Sequence, residues 1–221
     1  MATASSRAGI SWGQALRNPR FAAALLAALA FGASLVLVLP LFFQWIAAKP
    51  GAVPSDPLLA RLGPFNVSHA TFAVLYGTLV LVVARIAKRP MVVLRGLVAY
   101  VVLLLLRMAS MALVTLEPPA GIIPLVDPVT QVFYPGATPF LKDLFFSGHT
   151  ATLALMTLLA PRGAVRGLAA LGTLAVAVLV LAQHVHWSVD VLAAFPAAWL
   201  AWAAGGKLIS LLGLSPPGAG A

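Results

Sequence analysis

Few side chains in this 221-residue sequence are equipped for chemistry, and they gather in two short stretches. His149 stands in Phe146-Ser147-Gly148-His149-Thr150. Thirty-seven residues later, His186 and Asp190 stand in His184-Val185-His186-Trp187-Ser188-Val189-Asp190-Val191. If the chain is helical from Trp187 onward, His186 and Asp190 are one turn apart on one face. The carboxylate then accepts a hydrogen bond from one ring nitrogen and leaves the other unprotonated. Such a carboxylate fixes the tautomer and stabilises the cation formed when imidazole attacks an electrophile. The spacing therefore reads His186 as a nucleophile and Asp190 as its orienting partner. His149 has no carboxylate in helical register on its C-terminal side, which leaves it free to protonate a leaving group near neutral pH. Ser147 and Gly148, at a predicted helix N-terminus, offer a hydroxyl, backbone N–H groups and the positive end of the macrodipole, a combination suited to phosphate.

Arg107 is the only basic residue well inside an apolar stretch, and a guanidinium there can hold a phosphate bidentately. The alternative is that it snorkels to the interface or pairs with Glu117. Asp143, four residues before Ser147, reads as a helix N-terminal charge, an orienting partner of His149 or a contact to a substrate amine. Spacing does not choose among these. A metal at His184, His186 and His149 is disfavoured, because an i,i+2 pair points to different faces of a helix and no carboxylate cluster completes the shell. His184 and His69 read as interfacial polar residues. The absence of cysteine excludes thiolate catalysis, disulfides and cysteine-bound metal centres.

The elements that must carry these residues are membrane-spanning. Apolar residues make up 62% of the chain and charged ones only 9%, far below the roughly 25% of a soluble domain. A water-soluble globule and a disordered chain are both excluded. Six uncharged stretches approach the roughly 20 residues needed to cross a bilayer. They run from Phe21 to Ile46, Phe65 to Ala84, Met91 to Leu116, Phe145 to Leu159, Leu168 to His184 and Trp187 to Gly206. The first is too long for a secretory signal, whose apolar region spans about 7–15 residues. The fold expected is an all-α polytopic bundle. Residues 1–20 form a cytoplasmic segment, 21–212 a six-helix transmembrane catalytic domain, and 213–221 a disordered tail.

The formal charge of +9 is explained by topology rather than by a nucleic-acid partner. Arg7, Arg17, Arg20, Arg85, Lys88, Arg89, Arg95, Arg162, Arg166 and Lys207 fall on one side. The opposite loops hold Lys49, Arg61 and Lys142 with Asp56, Glu117, Asp127 and Asp143. The positive-inside rule puts both termini in the cytoplasm and both histidine clusters on the extracytoplasmic face. The long outer connection from Glu117 to Leu144 includes Phe133, Tyr134, Phe140 and Leu141, and its apolar content predicts packing at the membrane interface.

Ser147-Gly148-His149-Thr150 preceded by Asp143, with His186-Trp187-Ser188-Val189-Asp190-Val191, resembles the two catalytic motifs of the sphingomyelin synthase family. That family is a branch of the type 2 phosphatidic acid phosphatase superfamily. Arg107-x-x-x-Met111-x-x-x-Thr115-Leu116-x-Pro118 is similar to a third motif of the family. The resemblance implies a six-helix fold, a luminal or extracytoplasmic site and a metal-independent, cofactor-free mechanism through a phosphohistidine. By this resemblance His186 is the nucleophile, Asp190 its orienting carboxylate and His149 the acid toward the leaving group. There are departures. Leu141-Lys142 replace the Cys-Gly common before the aspartate, and Trp187 replaces a tyrosine. The phosphatase branch's Ser-Arg pair is Leu179-Val180 here. Its Lys-x6-Arg-Pro motif is also missing, since Val82 occupies the lysine position before Arg89-Pro90. These absences leave Arg107 as the main phosphate ligand.

The activity expected is transfer of a phospho-head group from a phospholipid donor to a lipid hydroxyl such as that of ceramide or diacylglycerol. A lipid phosphate or prenyl diphosphate phosphatase would use the same site with water as acceptor. A non-enzymatic transporter or assembly factor is the reading from another class, and no internal repeat of the kind common in transporters is visible.

Overall fold

The computed structural model describes residues 10–127 and 140–214. Phe133 and Tyr134, and the expected tail from residue 215 onward, lie outside these. Among the described residues the helices are α1 (Trp12–Leu16), α2 (Pro19–Ala47), α3 (Ser68–Ile86), α4 (Pro90–Leu113), α5 (Gly148–Leu159), α6 (Ala164–Ala182) and α7 (Ser188–Leu211). Local chemistry sets their ends. Asn18 caps α2 through its side chain, with Pro19 at the first helical position, and Pro90 opens α4 in the same way. The turn into α6 uses Gly163 at φ 101°, a conformation that strains residues bearing a Cβ.

Five of these helices, α2, α3, α4, α6 and α7, are long and apolar enough to cross a membrane, so the chain is an all-α integral membrane protein. The sixth expected span behaves differently. At 12 residues, α5 rises only about 18 Å, well short of a hydrocarbon core about 30 Å thick. Its apolar run is continued by Leu144 and Phe146, which are buried but not helical. Shelter within the bundle is the condition under which irregular backbone is tolerated at membrane depth. α5 packs against α3, α4, α6 and α7, while α2 lies at the edge against α4.

Lipid tails are as apolar as leucine, so close backbone approach rather than a hydrophobic driving force joins such helices. α4 and α7 meet where Gly205 faces Ala99; a Cβ on Gly205 would sit 2.9 Å from the Ala99 Cβ. Ala99, Leu103, Ala151, Leu155, Ala194 and Ala198 form the core between α4, α5 and α7. At the basic end, α1 and Leu214 close over Phe21, Leu94 and Ile209.

The outer connections fold down onto the helix ends. Ala52 and Leu116 form a short parallel bridge, and a 3-10 turn at Leu59–Arg61 buries Leu59 against Leu116, Leu144 and Trp187. Of the long connection, Ile122 and Leu125 pack on α3 and α6, and the Phe140 ring lies 4.9 Å from that of Phe43.

Candidate active site

The two motifs read from the sequence meet through backbone. The Ser147 N–H donates to the Asp190 carbonyl at 3.0 Å, joining the entry of α5 to the first turn of α7. Within that turn, His186 Nδ1 lies 3.4 Å from Asp190 Oδ2, and the same oxygen accepts the Trp187 N–H at 3.1 Å. Asp190 is fully buried and His186 is 4% exposed. Asp190 Oδ1 and His149 Nδ1 are buried with no hydrogen-bond partner among the described residues. His149 is the second residue of α5, with its ring edge-on to Phe72 and His186, Arg107 and Asp143 within electrostatic reach.

Arg107 reaches from α4 to the segment that leads into α5. Its guanidinium donates to the Phe146 carbonyl at 2.5 Å and forms an ion pair with Asp143. Ser110, one turn further along α4, donates to the Phe145 carbonyl at 2.8 Å. Gly148 lies under the guanidinium, and a Cβ there would occupy the space of Arg107 Nη1 and Cζ. Of the two options open for Arg107, pairing with Glu117 is not seen, because Glu117 accepts from Lys142 at 2.7 Å. Asp143 is the counter-charge of Arg107, a partner its spacing did not suggest. Ser147 is fully buried and its hydroxyl donates to Thr150 Oγ1 at 3.1 Å. The first intrahelical bond of α5 is made by Ala151 to Ser147, so the preceding N–H groups of Gly148 and His149 stand at its positive end.

A cavity of about 310 Å³ opens beside these groups. Arg107, Asp143, Gly148 and His149 form its polar end, and Leu39, Phe43, Leu75, Leu79, Leu103 and Leu104 its apolar wall. The expected site residues therefore divide. Arg107, Asp143, Gly148 and His149 line the cavity. His186, Asp190 and Ser147 lie behind it. Such a cavity suits an amphiphile with an anionic head and a hydrocarbon body.

Residues 142–206 match the family model described as PAP2 superfamily C-terminal. Over these residues the chain is similar to the PAP2 superfamily, whose members are phosphatases and phosphotransferases acting on phosphoesters. The PAP2 stretch contains Asp143, Ser147, Gly148, His149, His186 and Asp190 and stops short of Arg107. With the membrane helices, it points to lipid phosphatase- or phosphotransferase-type activity on a substrate drawn from the bilayer. None of the curated proteins matches the chain.

Sequence reasoning missed three residues around the site. His184 is buried, with φ 57°; its ring nitrogens lie 3.1 Å from the Ala120 carbonyl and 2.8 Å from that of Leu62. Gln183 is fully buried and accepts from the Val67 N–H while donating to Ser68 Oγ and the Ile123 carbonyl. Asp56 accepts the Ser188 N–H at 2.7 Å. The partners named here lie 60 or more residues away, so no local spacing announces them. The one signal available was that a buried amide or carboxylate in so apolar a chain must find a partner.

Proposed function

We propose that the chain is a membrane lipid phosphotransferase of the sphingomyelin synthase-like branch, acting from the extracytoplasmic face. In the first half-reaction His186 Nε2 attacks the phosphorus of a phospholipid while the bond to the departing diacylglycerol oxygen breaks. His149 protonates that oxygen. In the second half-reaction a lipid hydroxyl, of the ceramide or diacylglycerol type, loses its proton to His149 and takes the phospho-head group from His186. Asp190 holds the Nδ1–H and offsets the imidazolium charge. Arg107 and the N–H groups of Gly148 and His149 receive the phosphate oxygens.

The observation that carries this reading is an otherwise apolar cavity whose polar end holds a guanidinium and a histidine without a carboxylate, with the carboxylate-oriented His186 behind it. Reaction requires the cavity to extend past His149 to His186, and apo geometry often tightens only when substrate arrives. The breadth of the PAP2 match favours one second reading, in which water resolves the phosphohistidine and the chain is a lipid phosphate or prenyl diphosphate phosphatase.

The test uses purified protein in detergent with a chelator present and a head-group-labelled phospholipid, with and without ceramide or diacylglycerol. Label moving to the acceptor lipid is the expected result. Label released only into water, whatever the acceptor, selects the phosphatase. The His186→Ala variant loses turnover in either case, and substantial residual activity in it would remove His186 as nucleophile.

A further inference from the structure

The first turn of α7 carries both His186 and Asp190, and it begins without a cap of its own. Trp187 occupies the N-cap position, where Ser, Thr, Asp or Asn ordinarily accepts a hydrogen bond from the first turn. An indole N–H can only donate, and that of Trp187 donates to the Glu117 carbonyl at 2.9 Å. Asp190 satisfies the Trp187 N–H from within the turn. The next N–H, that of Ser188, is satisfied from 132 residues away: it donates to Asp56 Oδ2 at 2.7 Å, and Ser188 Oγ donates to Asp56 Oδ1 at 3.1 Å.

Asp56 is itself held. Its Oδ1 accepts the N–H groups of Leu58 and Leu59 at 3.1 Å each, and its carbonyl accepts that of Ala60 at 3.0 Å. Leu59 is buried beside Trp187, Leu116 and Leu144, so the strap carrying Asp56 is anchored to the same turn by apolar contact. Two carboxylates, Asp56 and Asp190, thus serve the positive end of one helix, one from outside and one from within.

We propose that Asp56 is a positioning residue for His186: by capping α7 across the fold it fixes Ser188 and Trp187, and with them the orientation in which the His186 imidazole meets Asp190. This rests on the reading that His186 is the reacting group. Asp56 touches neither His186 nor the cavity. Its effect passes through two backbone units, and small displacements of a reacting group are enough to matter.

The test compares wild type with Asp56→Ala, Asp56→Asn and Ser188→Ala in the full chain in detergent, with two readouts. The first needs no substrate. Diethyl pyrocarbonate modifies accessible imidazoles, and mass spectrometry resolves His186 from exposed His69, which serves as the internal reference. In Asp56→Ala the rate at His186 relative to His69 should rise by about five- to thirtyfold, the factor that follows from losing a helix cap. Asp56→Asn keeps one acceptor oxygen and should fall between. The second readout is turnover of head-group-labelled phospholipid. There kcat should fall by about 10- to 100-fold with KM within about threefold, while the melting temperature falls by only a few degrees and the protein stays folded at the assay temperature. Wild-type labelling at His186 together with wild-type kcat would overturn the proposal. So would a kcat loss that merely follows loss of folded protein, with His69 and His186 labelled in their original ratio. If His186→Ala retains turnover, the phosphohistidine reading fails, and the labelling ratio still decides whether Asp56 positions His186.

Discussion

Arg107 shows how one side chain can serve both architecture and chemistry. It is 7% exposed, and the desolvation of a guanidinium at that depth is offset by Asp143 and the Phe146 carbonyl. Those two contacts fix the segment that presents Ser147, Gly148 and His149. A phosphate arriving at the polar end of the cavity meets the remaining N–H groups of the same fork. A lysine would keep the charge but present a single rotating ammonium in place of a planar fork, which cannot hold carbonyl, carboxylate and phosphate together. Arg107→Lys is therefore expected to lower kcat/KM by about 10- to 100-fold, the loss of one or two charge-assisted hydrogen bonds, while the protein remains folded. Steady-state kinetics alongside a thermal melt checks this; unchanged kcat and KM would remove Arg107 from the substrate site. The legibility of these residues follows from distance along the chain. His186 and Asp190 are four apart, so helical spacing alone predicts their contact. Asp143 is 36 residues from Arg107, and nothing local assigns it to that partner.

At the scale of elements, apolar runs located the helices but not their ends, because hydropathy marks what is buried in lipid or protein and not what is helical. Met91 to Leu116 reads as one span, yet α4 stops at Leu113, since the Thr115 carbonyl and the Glu117 N–H turn aside to pair with Ala52. The run from Phe145 likewise conceals an irregular entry before Gly148. The outer straps are held by carboxylates whose environments are legible only in three dimensions. For Asp56, burial raises the pKa, but hydrogen bonds from Ser188, Leu59 and Leu58 outweigh it and hold the group below the ordinary carboxylate value. Glu117 is also held low, first by its hydrogen bond from Lys142 and then by that from the Gly51 N–H. A depressed folded-state pKa gives stability that is fully present above the unfolded value, about 4, and is lost as pH falls through the folded value. The melting temperature in detergent should thus be flat from about pH 8 to pH 5 and fall below about pH 4, with a shallower fall in Glu117→Gln. A decline already complete by pH 5 would assign the acid sensitivity to other groups.

Across the whole molecule, charge is divided between the two ends of the bundle. The chain has only five carboxylates, Asp56, Glu117, Asp127, Asp143 and Asp190, and all lie at the end that holds His149 and His186. Each has a partner there: Ser188, Lys142, Tyr76, Arg107 and His186, respectively. The opposite end gathers Arg17, Arg20, Arg85, Lys88, Arg89, Arg162 and Lys207 with no carboxylate in the sequence to balance them. Acidic residues have little influence on insertion, whereas Lys and Arg in short loops set orientation. By that rule the proposed orientation keeps the arginine- and lysine-rich end in the cytoplasm and leaves the carboxylates free to accumulate at the other. The division of charge between the two ends was legible from the sequence, because it depends only on which loop each charge occupies. The proposed orientation puts the proposed reaction on the extracytoplasmic leaflet, with donor and acceptor lipids drawn from that side. A reporter that matures only in the cytoplasm, fused after Leu214, should be fully active. Fused within the outer loop between Ala48 and Val67, it should be silent. Activity in the second fusion and silence in the first would invert the bundle and move both histidines to the cytoplasmic leaflet.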